Sequence, residues 1–160
     1  GDIRNNVTYD LMRAACLMGY NIKVGGPAGA EHAVHDEVVE ECTELCAKHG
    51  GTFLITSDPK EAMEGADVIY TDSWMSYGIA KDEEEKRVKI FEPYQVNDEA
   101  MALAKPDAIF MNCLPAMRGM EQTESVIDGP QSVVFDQAEN RLHSQKALLL
   151  YLINGFDWEL

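Results

Sequence analysis

The sequence predicts an α/β domain, a parallel sheet with helices on both faces. Short runs of buried strand type alternate with amphipathic runs along the whole chain, and glycine or proline punctuates them. Polar residues also crowd directly behind the strands, the end of a parallel sheet at which ligands bind.

The first helix is predicted over residues 5–18, where Val7, Leu11, Ala14, Ala15 and Met18 recur at helical spacing before Gly19. A strand over 21–24 closes at Gly25-Gly26-Pro27. Residues 31–48 read as a long acidic helix with Val34, Val38, Val39, Cys42, Leu45 and Cys46 turned inward, ending at His49-Gly50-Gly51. The second strand covers 52–56. Ser57 and Asp58 can then cap a short helix that has Pro59 in its first turn and Gly65 at its end. The third strand, 68–71, runs straight into Asp72. An irregular stretch over 73–80 precedes the charge run 81–89, read as a solvated helix face. A turn at Pro93-Tyr94-Gln95-Val96-Asn97 enters a helix over 98–104. The fourth strand, 108–111, ends at Asn112-Cys113-Leu114-Pro115. A short helix around 123–127, a fifth strand over 132–135 and a last helix over 138–152 complete the pattern. The expected architecture is a three-layer, doubly wound, Rossmann-like sheet. Gly1-Asp2 leads almost at once into a helix, and in a βα unit such a pair normally follows a strand, so the first strand is expected to be absent.

One domain with a sizeable core fits 160 residues. The net charge of −15, from 28 acidic and 13 basic residues, argues against nucleic-acid binding, which needs clustered Lys and Arg. No apolar run reaches the roughly 20 residues of a membrane helix, and the polar start has no secretory pattern, so a cytoplasmic protein is expected. Cys16, Cys42 and Cys46 read as small buried hydrophobes in a reducing compartment, and no second pair stands at metal-ligand spacing to Cys42 and Cys46.

If the sheet is parallel, four sets of polar residues converge on one edge: Asp2, Asn5 and Asn6; Asp72; Asn112 to Pro115; and Asp136 to Arg141. This set suits a ligand with an amine and an anion. Asp72 can accept from an ammonium, Asn5 and Asn6 can donate to a carboxylate, and Arg141 can hold a phosphate or carbonyl oxygen. Cys113 can orient an amine. Each also has a plainer reading: Asp72 and Asp136 as caps, Asn5 and Asn6 as turn residues, Arg141 paired with Glu139 or Asp136, Cys113 as packing.

Gly1-Asp2 to Asn6, Asp72-Ser73-Trp74-Met75-Ser76-Tyr77-Gly78, Pro93 to Asn97, Asn112 to Ala116 and Phe135 to Arg141 together resemble the ornithine carbamoyltransferases, in that family's order and across essentially the whole chain. The resemblance implies the second, amino-substrate-binding domain of an enzyme that transfers a carbamoyl group from carbamoyl phosphate to the side-chain amine of ornithine, giving citrulline and phosphate. It implies that Asn6 and Asp72, helped by Ser76, hold the α-amino-acid end, that Cys113 and the Leu114 carbonyl lie near the reacting amine, and that Arg141 contacts carbamoyl phosphate. Residues 74–78 look like the family's loop that closes over the amino substrate. Neither a metal nor an organic cofactor is implied, and the full-length protein is expected to be a homotrimer.

Two residues depart from the family's pattern. Asn112 stands where histidine usually precedes Cys-Leu-Pro and donates to the carbamoyl oxygen, and Tyr77 stands where the loop usually has methionine. Since that loop meets the amino substrate, putrescine or another amine is an alternative acceptor. The Ser-x-Arg-Thr-Arg run that grips phosphate in the family's first domain has no counterpart here, so residues 1–160 alone are expected to be inactive. The rival readings are a non-catalytic amino-acid-binding module and a nucleotide-binding domain; the latter lacks a G-x-G-x-x-G turn.

Overall fold

Asn5 starts the first helix by accepting the backbone N–H of Thr8 on its side-chain oxygen, and α1 (Asn6–Leu17) follows. The computed structural model in which this is seen describes residues 1–75 and 81–155, apart from the side chains of 81 and 82. β1 (Asn21–Gly25) pairs in parallel with β2 (Thr52–Thr56), in register from Asn21↔Thr52 to Gly25↔Thr56, and α2 (Asp36–His49) makes the crossover. Asp58 caps α3 (Pro59–Met63) by accepting from the Lys60 N–H. β3 (Val68–Thr71) pairs in parallel with β4 (Ile109–Asn112). Between them run α4 (Lys81–Phe91), a 3-10 turn at Glu92–Tyr94 and α5 (Asp98–Met101). α6 (Glu124–Ile127) and the long α7 (Val134–Asn154) end the fold.

Parallel strands joined by helical crossovers are the α/β architecture that the alternating pattern predicts. Among the described residues the strands form two parallel pairs, β1–β2 and β3–β4, where the sequence suggested five strands. The fifth, over 132–135, is not formed. Ser132 makes a single bridge to Phe110, with Phe110 N–H donating to Gln131 O at 2.8 Å and Val133 N–H to Phe110 O at 3.0 Å, and the chain then turns into α7 at Val134. The next ladder position on β4, the Asn112 N–H, is taken by the side-chain oxygen of Gln137, so the backbone has no strand left to extend. The second helix also starts later than its periodicity suggested, at Asp36. Residues 30–32 form a turn, closed by the His32 N–H donating to Gly29 O at 3.1 Å, and Arg4 donates to the carbonyls of Ala30 and Glu31.

Two apolar clusters hold these pairs in place. Ile3, Met12, Cys16, Val24, Val34, Val38 and Cys42 join α1 and α2 to β1, while Ile69, Val96, Ala100, Met101, Phe110, Val126, Ile127 and Val134 enclose β3 and β4. Each fully buried aliphatic side chain contributes about 1.5–3 kcal/mol by leaving water. Cys16 and Cys42 are both 0% exposed, which matches their reading as small hydrophobes. The second cluster holds β3 and β4 side by side, so Asp72 and Cys113 leave neighbouring strands at the same edge.

Candidate functional site

Asp72 and Cys113 each follow the last residue of their strand, and the register Thr71↔Asn112 sets them opposite one another. The Cys113 thiol donates to Asp72 Oδ1 at 3.0 Å, and the Ser73 N–H donates to the same oxygen at 2.7 Å. Tyr70, on β3, neighbours Cys113, and its hydroxyl accepts from Gln137 Nε2 at 3.4 Å. The Cys113 thiol and the Ser73 N–H thus converge on one oxygen of the Asp72 carboxylate. Burial, and next the Asp72 hydrogen bond, push the Cys113 thiol above its ordinary value, so it stands as a neutral donor near pH 7. Burial, and next its bond to Cys113, likewise raise the Tyr70 phenol.

Asn112 is 0% exposed, and its amide faces the interior. Its Nδ2 donates to Gln122 Oε1 at 3.0 Å, and its Oδ1 accepts the Leu114 N–H at 2.8 Å. Leu114 has φ +52, the left-handed region, at a cost of about 1–2 kcal/mol for an L residue. Glu121 is also fully buried. Its Oε1 accepts the Met117 N–H at 2.8 Å, its Oε2 has no partner among the described residues, and burial raises its carboxyl above the usual range.

Asn5 is occupied as the cap of α1, accepting from Thr8 and donating its Nδ2 to Asp2 O at 2.8 Å, the turn role that its plainer reading gave it. Asn6 is exposed at the first position of α1. Arg141 is exposed within α7, with no ion pair to Glu139 or Asp136; Glu139 is paired instead with His143 at 3.2 Å. Asp136 lies in the first turn of α7 rather than behind a strand. Ser76 and Tyr77 lie outside the described residues. The structure thus brings together Asp72, Cys113, Asn112 and Leu114, but it shows no contact between that group and Asn5, Asn6 or Arg141. Sequence reasoning missed Tyr70, Gln137, Gln122 and Glu121. Gln137 stood inside a quoted motif and Tyr70 was the penultimate residue of a strand, whereas Gln122 and Glu121 carried no local signal.

The pattern of the aspartate/ornithine carbamoyltransferase Asp/Orn-binding domain matches residues 1–152. The chain belongs to this family. An ornithine carbamoyltransferase of Caldicellulosiruptor saccharolyticus is 50% identical over 151 residues, covering 94% of this chain and 48% of that protein. The ornithine transcarbamoylase of Giardia lamblia superposes with a TM-score of 0.88 at 48% identity, covering 99% of this chain and 50% of that one. The ornithine carbamoyltransferase of Pyrococcus furiosus gives a TM-score of 0.85 at 48% identity, covering 91% and 46% respectively. The chain spans about half the length of the carbamoyltransferases it matches. In this carbamoyltransferase domain Asp72 and Cys113, which come from two of the motifs that resemble the family, are in direct contact.

Proposed function

We propose that this chain is the amino-substrate-binding domain of an ornithine carbamoyltransferase, and that the half gripping the phosphate lies outside residues 1–160. The Cys113–Asp72 contact carries the reading, because it puts a fixed carboxylate beside a neutral thiol at the carboxyl end of two parallel strands. Asp72 and Asn6, with Ser76 and Tyr77 from the loop, hold the α-amino-acid end of ornithine. Cys113 and the Leu114 carbonyl orient the side-chain amine, and Arg141 contacts carbamoyl phosphate. The neutral amine attacks the carbamoyl carbon, the C–N bond forms, the C–O bond to phosphate breaks, and the amine proton leaves to the phosphate or to water. Such a reaction is accelerated by orientation and by donors aimed at the developing oxyanion, and it requires no cofactor. Asn112, with both ends of its amide used inside the domain, acts as a support of the turn and not as that donor.

The test is a transfer assay on the full-length polypeptide carrying these residues, with ornithine, putrescine and acetylornithine offered in parallel. Citrulline from ornithine is the expected product, and none from residues 1–160 alone. Transfer only to putrescine or acetylornithine, or to none of the three, would overturn the reading.

A further inference from the structure

We propose that Gln122 is a positioning residue of this site: through Asn112 it holds Leu114 in its left-handed conformation and so sets the Cys113 thiol and the Leu114 carbonyl. What this means for catalysis rests on the function proposed above; the geometry does not.

Gln122 is 0% exposed and its backbone is held on both sides. It bridges Val96, with the Val96 N–H donating to Glu121 O at 3.0 Å and the Thr123 N–H to Val96 O at 3.0 Å, and its own carbonyl accepts the Gly119 N–H at 2.8 Å. Its side chain therefore projects from a fixed post. The direction of every bond beyond it then follows from chemistry. The Met117 carbonyl can only accept, so Gln122 must show it Nε2, which lies at 3.2 Å. That leaves Oε1 for Asn112, which must answer with Nδ2. Only Oδ1 of Asn112 then remains for the Leu114 N–H, which can only donate. Gln137 fixes the other side by accepting the Asn112 N–H at 3.1 Å. Cys113 is thus bracketed between two backbone N–H groups, both held by side-chain amides. A residue kept at φ +52 persists where its surroundings over-determine it, and this relay is what surrounds Leu114.

The experiment measures the rate at which iodoacetamide alkylates Cys113 in residues 1–160, resolved from the other cysteines by peptide mass mapping, well below each variant's unfolding midpoint. Gln122→Leu removes the acceptor of Asn112 Nδ2 and leaves the Met117 carbonyl only the Met120 N–H, and is expected to change the Cys113 rate by at least ~5-fold, the scale of one buried hydrogen bond. In a Leu114→Gly background, where the left-handed conformation is free of strain, the same substitution is expected to change it by less than ~2-fold. Gln122→Glu supplies the comparison within one protein. At mildly acidic pH its carboxyl is protonated and can donate to Met117 and accept from Asn112, so the rate should match that of the unaltered chain at the same pH. At alkaline pH the donor is lost and the two rates should diverge. A glutamine that matters only for stability would lower the unfolding midpoint and leave all Cys113 rates in the folded state alike; that result would overturn the proposal. No substrate enters the measurement, so it stands or falls independently of carbamoyl transfer.

Discussion

Cys113 Sγ donates to Asp72 Oδ1 at 3.0 Å across 41 positions of sequence, joining the ends of neighbouring parallel strands. The thiol lies above its ordinary value of 9.0, through burial first and the Asp72 bond second, while the Tyr70 bond pulls it down. The pH profile of Cys113 alkylation should therefore have its midpoint above 9.0. Asp72→Asn should move it down and Tyr70→Phe should move it up. Shifts in the opposite directions would refute the assignment of Cys113 as the donor to Asp72 and of Tyr70 as the group opposing that bond.

A stability loss on alkaline titration is expected from Cys16. Burial, and next its hydrogen bond with Cys46, push this thiol from 9.0 up to about 12 in the folded chain. Below pH 9 both folded and unfolded chains keep the proton and the contribution is complete. Between 9 and about 12 only the unfolded chain releases it, so stability falls as pH rises, by at most ~1.4 kcal/mol per pH unit for one proton. Urea unfolding of the unaltered chain and of Cys16→Ala across this range measures the effect, and the slope should be shallower in the variant.

Asn5 spends its side chain on the cap of α1. Asn5→Ala should cost about 1 kcal/mol in chemical denaturation, and Asn5→Asp, which keeps the acceptor, much less. Equal losses in the two variants would mean that the Asp2 carbonyl bond, and not the cap, holds this turn.

Gly50 and Gly51 share a left-handed backbone, at φ +82 and +81, but differ in space. A Cβ on Gly50 meets nothing within 4 Å, whereas one on Gly51 meets the Tyr20 carbonyl. Both alanine variants incur the strain of positive φ, ~1 kcal/mol, and Gly51→Ala should incur a further steric loss at the start of β2. Thermal unfolding of the pair separates the two effects by subtraction.

Arg141 is exposed on α7 and forms no ion pair among the described residues, so Arg141→Ala should change stability by no more than ~0.5 kcal/mol. In the full-length polypeptide the same substitution should lower carbamoyl transfer by ~100-fold or more if it grips carbamoyl phosphate. Unfolding curves and initial rates on one preparation decide between a surface role and the proposed one.

The alternation of strands and helices, the parallel class and the limits of β2 and β3 were legible in the sequence, because period and punctuation are local properties. So was the meeting of Asp72 and Cys113, since residues that follow parallel strands reach the same edge. The failure of the fifth strand was not legible. Residues 132–135 have strand composition, but Gln137 occupies the next ladder position on β4, and that competition exists only once the strands are assembled. Asn112 shows the same division. Sequence placed it at the site and, through the family it resembles, suggested a donor to substrate. Tertiary structure turned its amide inward, because Gln122 is fixed by Val96 and Met117 from distant segments and presents Asn112 with an acceptor. Local sequence determined which residues reach the sheet edge; the direction in which each polar group points depended on partners that only the folded chain brings within hydrogen-bonding distance.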